Sequence, residues 1–277
     1  MLATLKLLFY YQFKSWISVI TCLGLPLILM IIVISFANTI QQPNSSNGPF
    51  LALPGIIIAI GPIIGILNLT LVLTDFKQSL FFKRLKAMPL KMIDFLYGVI
   101  IYQLLIIFTV TIMTMTVAIS IYYQQINFAW INWPILSTVL IFNGILSCCT
   151  GFLINQYIND FKINLIVAIT YFLLTLFLGG CFLPLYVIKN SIILKIMSLL
   201  IPTTYLTCLV IYSWYFFTPH YHGHELVSFK DYNLFNNYQI PMIIVVVMTI
   251  LLLIIIILKE KIKFLRFKII NNKLDIQ

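Results

Sequence analysis

The stretch of this sequence best suited to hold a metal ion is PHYHGHE, which supplies His220, His222, His224 and Glu225. Histidines at every second position share one side of an extended segment, where their imidazoles could meet a zinc ion. The segment lies in a long polar and aromatic loop, far from any second group of ligands. Exposed loop histidines are therefore the simpler reading, and no metal is expected. Other reactive spacings are missing. No G-x-x-x-x-G-K-[ST] cradles a nucleotide phosphate, and neither H-E-x-x-H nor G-x-S-x-G occurs. An enzyme buried in a membrane would need a clustered acid, base or metal site, and none is visible. The chain is not expected to be an enzyme by itself.

Composition explains where chemistry has to be looked for instead. Of 277 residues, 62% are hydrophobic and only 9% charged, against roughly 25% charged in soluble domains. Too few polar side chains are present to cover a soluble surface of this size. The apolar runs have helical length rather than the ~10-residue alternation of outer-membrane strands, so an all-α integral membrane protein is expected. Six spans are expected, at 16–40, 50–73, 94–122, 134–156, 164–182 and 241–258. Ahead of them, Leu2, Leu5, Leu8, Phe9, Phe13 and Trp16 fall on one helical face, as in an interfacial helix over residues 1–15.

The net charge of +10 does not point to nucleic acid, because the basic residues sit beside the apolar spans. Fourteen of the seventeen lysines and arginines fall on one side of the six-span topology. They are Lys6 and Lys14, five between Lys77 and Lys91, Lys162, and six from Lys259 to Lys273. By the positive-inside rule both termini face the cytoplasm, with anionic membrane lipid beside them. The ionisable residues avoid the interiors of the spans, and Asp94 stands only at the mouth of the third. A mid-bilayer charge costs about 3 kcal/mol on insertion scales, and ion-coupled carriers keep one for function. The sequence therefore argues against an ion-coupled carrier.

Neutral polar residues do occur inside the spans. Asn68, Thr70, Gln103, Thr109 and Asn143 either line a cavity or bridge helices, and bridging is the simpler role. Gly61 and Gly65 form a G-x-x-x-G step that lets a second helix approach closely. The five cysteines read as small buried hydrophobes, and a Cys181–Cys208 bridge is left open.

One stretch gathers five basic residues: DFKQSLFFKRLKAMPLK, Asp75 to Lys91. On a helical wheel Phe76, Leu80 and Ala87 form one apolar strip, and Phe81, Leu85 and Met88 form a second. Lys77 and Arg84 lie between the two. A helix resting on lipid alone would show a single apolar face, so two strips suggest a helix between its own bundle and a soluble partner. Pro89 ends it.

This stretch resembles the signature between the second and third spans of type-2 ABC exporter permeases, through Leu80, Lys83, Arg84, Leu85, Ala87, Pro89 and Leu90. A second stretch, LGGCFLPLYVIKNSIILKIMSLLIPTTYLTCLV from Leu178 to Val210, resembles the same family's segment after the fifth span. It does so through Gly180, Phe182, Pro184, Leu185, Leu200, Pro202, Thr204 and Tyr205.

The resemblance implies a coupling helix over 75–89 that docks on a separate cytoplasmic ABC ATPase, the subunit that would bind ATP and magnesium; this chain would carry no cofactor. Contacts would come from Asp75, Phe76, Gln78, Phe81, Phe82, Arg84, Leu85, Met88 and Pro89, with a lighter touch from Asn159, Asp160 and Phe161. It also implies an outer gate of re-entrant helices over 183–213, bent at Gly179, Gly180, Pro184 and Pro202 and carrying Tyr205. An outer loop over 214–240 and a cytoplasmic tail over 259–277 complete the layout. A second permease copy or a paralogue would pair with it in the bacterial plasma membrane. The cargo implied is amphipathic or lipophilic (a drug, an antibiotic or an antimicrobial peptide). Export of a lipid or polysaccharide, or a membrane immunity or sensor role without transport, are the alternatives.

Overall fold

A computed structural model describes residues 6, 8–10, 12, 14–40, 48–78, 92–122, 131–158, 160–183, 185–215, 233–235 and 237–274. It is all-helical, with no strand among the described residues. Six helices are long and apolar enough to cross a membrane.

The first long helix, α1, is continuous: Trp16–Val19, a π-helical turn at Ile20–Gly24, then Leu25–Ile40. The second, α2, is built the same way from Gly48–Pro62, a π-helical segment Ile63–Asn68, and Leu69–Gln78. Then follow α3 (Met92–Tyr122), α4 (Trp133–Tyr157) and α5 (Phe161–Leu178). Three short helices come next: α6 (Leu185–Asn190), α7 (Ile192–Leu199) and α8 (Pro202–Tyr215). The last helix is α9 (Gln239–Leu274). Trp16, Gln78, Met92, Tyr157, Phe161 and Lys259 lie towards one end of the bundle, called here the basic end. The short helices α6 to α8 occupy the opposite end.

Each π segment stands beside a proline, Pro26 or Pro62. Pro26 and Pro62 have no N–H, so each removes one i→i−4 bond from its helix, and the backbone adjusts nearby. The two segments pack against each other. Helix starts follow from capping. Asn132 accepts from the Ile135 N–H at 3.3 Å with Pro134 behind it, and Asp160 accepts from Lys162 and Ile163 at 2.8 and 3.3 Å.

Packing makes α2 the centre of the molecule. Its spanning stretch is 89% buried, against 22% for α9 and 33% for α1, α3 and α5. The remaining faces carry exposed Ile17, Ile31, Ile112, Ile166, Ile243 and Leu251, as lipid-facing surfaces do. Lipid tails offer no hydrophobic drive for helix association, so close backbone contact has to supply it. The G-x-x-x-G step provides that contact. A Cβ on Gly65 would sit 2.5 Å from Ser147 Cβ and 2.9 Å from the Cys148 nitrogen, and Gly61 lies directly under the Asn143 amide. Helices α2 and α4 therefore run parallel, residue 61 beside 143 and 65 beside 147.

Several boundaries fall elsewhere than the apolar pattern implies. The fifth helix stops at Leu178, short of Phe182, because Gly179 donates its N–H to Thr175 O at 2.9 Å and Gly180 turns left-handed, φ 87°. The sixth long helix continues past residue 258 to Leu274, since its charged continuation KEKIKFLRFK contains no Gly or Pro to stop it. The stretch expected as an outer loop begins inside α8, and Trp214 is fully buried. Near the N-terminus the expected single face is divided. Leu8 is buried against Leu69, Val72 and Phe76, while Phe9 and Trp16 face outwards. Leu2, Leu5 and Phe13 lie outside the described residues.

Candidate functional site

At the basic end, α2 finishes in Leu73-Thr74-Asp75-Phe76-Lys77-Gln78. Phe76 is buried among Leu8, Leu73, Val99 and Phe152, which seats the last turn of the helix on α3 and α4. Asp75 and Lys77 stand on the opposite, exposed side. The Lys77 ammonium donates to two backbone carbonyls of another helix end, Asn155 O and, at 3.2 Å, Ile158 O. The last carbonyls of a helix have no internal partner, and a cation there is favoured by the helix dipole as well. A second lysine reaches the same place: Lys259 Nζ of α9 stands 3.1 Å from the ring centroid of Tyr157.

Helix α4 passes into α5 within three residues, 158–160, and Asp160 caps the new helix. Asp160 is exposed and Phe161 half-buried. Two stretches far apart in sequence, the end of α2 and the α4–α5 turn, are thus joined by one side chain. Of the residues expected to contact a partner here, Asp75 and Asp160 are exposed, Phe161 is half-buried and Gln78 ends α2, whereas Phe76 points into the protein's own core and offers no surface to a partner. Phe81, Phe82, Arg84, Leu85, Met88, Pro89 and Asn159 lie outside the described residues.

At the opposite end the turn Gly179–Cys181 is held from three sides. Thr207 Oγ1 donates towards Gly179 O at 2.6 Å, and Thr204 Oγ1 is 2.7 Å from Ser198 O and 3.2 Å from Leu178 O. Gly55 of α2 presses on the turn from the other side, where an added Cβ would meet Gly180 O at 2.6 Å. Helices α7 and α8 meet at a 100° bend at Pro202, the first residue of α8. Tyr205 is buried, donates from its hydroxyl to Leu199 O at 2.6 Å and stacks on Phe235 at 5.7 Å. Pro184 lies outside the described residues. The sequence named Gly179, Gly180, Pro202 and Tyr205 here. It missed Gly55 and Thr207, whose only signals are a glycine beside Pro54 and the threonine run TTYLT.

The polar residues of the spans divide into two groups. Asn68 and Asn143 are fully buried and bridge helices: Ser18 Oγ donates to Asn68 Oδ1 at 2.6 Å, and Asn143 Nδ2 donates to Ile58 O at 3.0 Å. Thr70 and Gln103 are also buried. Thr109 is exposed on the outer face of α3 and bonds Ile106 O of its own helix at 2.8 Å, so it does not share an interior site with the others. Cys181 and Cys208 are both free and buried. No group of three metal-ligating side chains occurs among the described residues; His220, His222, His224 and Glu225 lie outside them.

No protein-family model matches this chain, and no curated protein or solved structure matches it either. The helices themselves define the class: a multi-pass, all-helical membrane protein.

Proposed function

We propose that the chain is the membrane-spanning subunit of an ATP-driven exporter, a permease of the type-2 ABC kind. In this reading a separate cytoplasmic ATPase binds ATP and magnesium and docks on the basic end. A second permease copy or paralogue completes the pathway through the bacterial plasma membrane, with both termini cytoplasmic. The cargo is amphipathic or lipophilic: a drug, an antibiotic or an antimicrobial peptide.

The observation that carries this reading is the junction at Lys77. The sequence resemblance assigns one ATPase to the stretch that begins at the end of α2 and to the α4–α5 turn, and Lys77 joins the end of α2 to the start of that turn. A partner docking there could push on both together. Helix α2, the most buried of the six spans, runs from that junction to the turn at Gly180, and so links the docking end to the opposite end through one continuous helix.

Co-purification with the candidate ATPase tests the proposal, alongside a variant changing Phe81, Arg84 and Met88 to Ala. The native chain should retain the ATPase, and the variant should keep its fold and lose it. A native chain that purifies alone and binds no ATPase overturns the exporter reading.

A further inference from the structure

The C-terminal end of α4 receives more attachments than a helix end needs for capping. Lys77 of α2 takes its carbonyls at Asn155 and Ile158. Lys259 of α9 lies on the Tyr157 ring, 3.1 Å from its centroid. Asp160, two residues beyond the Ile158 carbonyl, fixes the start of α5 through its bonds to Lys162 and Ile163. Four helices are therefore tied within a few residues of sequence. Two of the ties are cations set at the negative end of one helix dipole.

We infer that Lys77 is a positioning residue that makes the end of α2, the end of α4 and the α4–α5 turn move as one body. The inference rests on the exporter reading for its purpose and on geometry for its content. Any force on the segment that follows Gln78 enters α2 at its last turn. Apolar contacts such as those of Phe76 can slide; two directed bonds from Lys77 to backbone carbonyls cannot slide without breaking. Lys77 delivers the displacement to Ile158 and so to α5. Lys259 brings α9 to the same point through a cation–π contact, which tolerates rotation of the ring better than a hydrogen bond does.

The test uses the full chain in lipid nanodiscs and reads backbone hydrogen exchange across residues 157–163. Three variants are compared: Lys77→Met, which keeps the apolar stem and loses the donors; Lys77→Arg, which keeps charge and donors; and Lys77→Cys. Exchange in the turn should rise about tenfold in Lys77→Met and stay near wild type in Lys77→Arg, with the global unfolding midpoint little changed. Alkylating the Lys77→Cys protein with bromoethylamine, which restores an ammonium at nearly the same reach, should return exchange to the wild-type rate. Should Lys77→Met fail to fold, this chemical rescue decides the question alone. Unchanged exchange in Lys77→Met, or no effect of alkylation, overturns the inference.

A second arm adds the ATPase with magnesium-ATP and vanadate. In the wild-type complex, exchange should change at both the end of α2 and the α4–α5 turn; in Lys77→Met it should change at the end of α2 alone. A turn that responds equally in both overturns transmission through Lys77. If the wild-type chain binds no ATPase, the exporter reading fails, and the first arm still decides whether Lys77 ties the three elements together.

Discussion

The side-chain amide of Asn143 donates to the backbone carbonyl of Ile58 at 3.0 Å. Ile58 lies four residues before Pro62, so its carbonyl is the one that Pro62 cannot serve, having no N–H. A break in α2 is thus repaired from α4, at the level where Gly61 lets the Asn143 side chain reach the α2 backbone. Proline inside a span is tolerated when a neighbouring helix re-satisfies the freed group, and here the donor is a single named side chain.

Replacing Asn143 by Ala should therefore destabilise the protein by about 1–2 kcal/mol, the upper range for a polar contact between spans. The cost should shrink when Pro62 is also changed to Ala, because the restored N–H can then serve Ile58 directly. A double-mutant cycle on unfolding in mixed detergent micelles measures this, with an expected coupling of at least ~0.5 kcal/mol. Strict additivity would show that Asn143 stabilises by some other contact.

Glycine positions that look alike in sequence should respond in opposite ways. An alanine at Gly65 would drive its Cβ into Ser147 and the Cys148 backbone at 2.5–2.9 Å. Backbone atoms cannot give way, so Gly65→Ala should cost about 1–3 kcal/mol as α2 and α4 separate. At Gly24 the nearest atom, Ile20 Cγ2, is 3.7 Å away, an ordinary contact. Gly24→Ala should shift stability by less than about 0.5 kcal/mol, the scale of a neutral surface change. Unfolding midpoints of the two variants check both statements.

The contrast between these two glycines marks how much of the fold the sequence reveals. The six long helices are legible because apolar length alone specifies them, and the G-x-x-x-G step is legible because small residues at that spacing form a groove. What periodicity cannot show is which helix fills the groove. Nothing local links Gly65 to Ser147, or Ile58 to Asn143, since both pairs are made by packing. The same holds at the basic end. Lys77 reads in sequence as one more positive charge beside a span, and its partners are backbone carbonyls, which carry no sequence signature. Hydropathy cannot place a helix end that backbone conformation sets, as at Gly180, and it marks where the apolar span stops near Lys259 but not where the helix that carries it ends.

All five cysteines, Cys22, Cys148, Cys149, Cys181 and Cys208, are buried and unpaired. In the folded protein they should resist a membrane-permeant maleimide and react fully after denaturation in SDS. Intact mass after denaturing alkylation should show five adducts with and without prior reduction. Two fewer adducts in the unreduced sample would reveal a disulfide and overturn the unpaired arrangement, and peptide mapping would show whether Cys181 and Cys208 form it.

The turn at Gly179–Cys181 makes the sharpest local prediction at the end opposite Lys77. Gly180 has φ 87°, where a side chain costs about 1–2 kcal/mol. A Cβ there would also approach Leu185 Cδ2 at 2.8 Å. Gly180→Ala should therefore loosen the seating of α6 on α8. Thr207→Val removes the hydroxyl that donates towards Gly179 O at 2.6 Å and should cost about 1 kcal/mol, the usual net value of one hydrogen bond. Because both changes act on the same turn, their combined effect should fall short of the sum. Hydrogen exchange over residues 179–190 reads the loosening directly, while exchange at the α4–α5 turn should stay at its wild-type rate. Equal acceleration at both ends would mean that the variants unfold the bundle as a whole, and that the Gly180 turn is not an independently seated element.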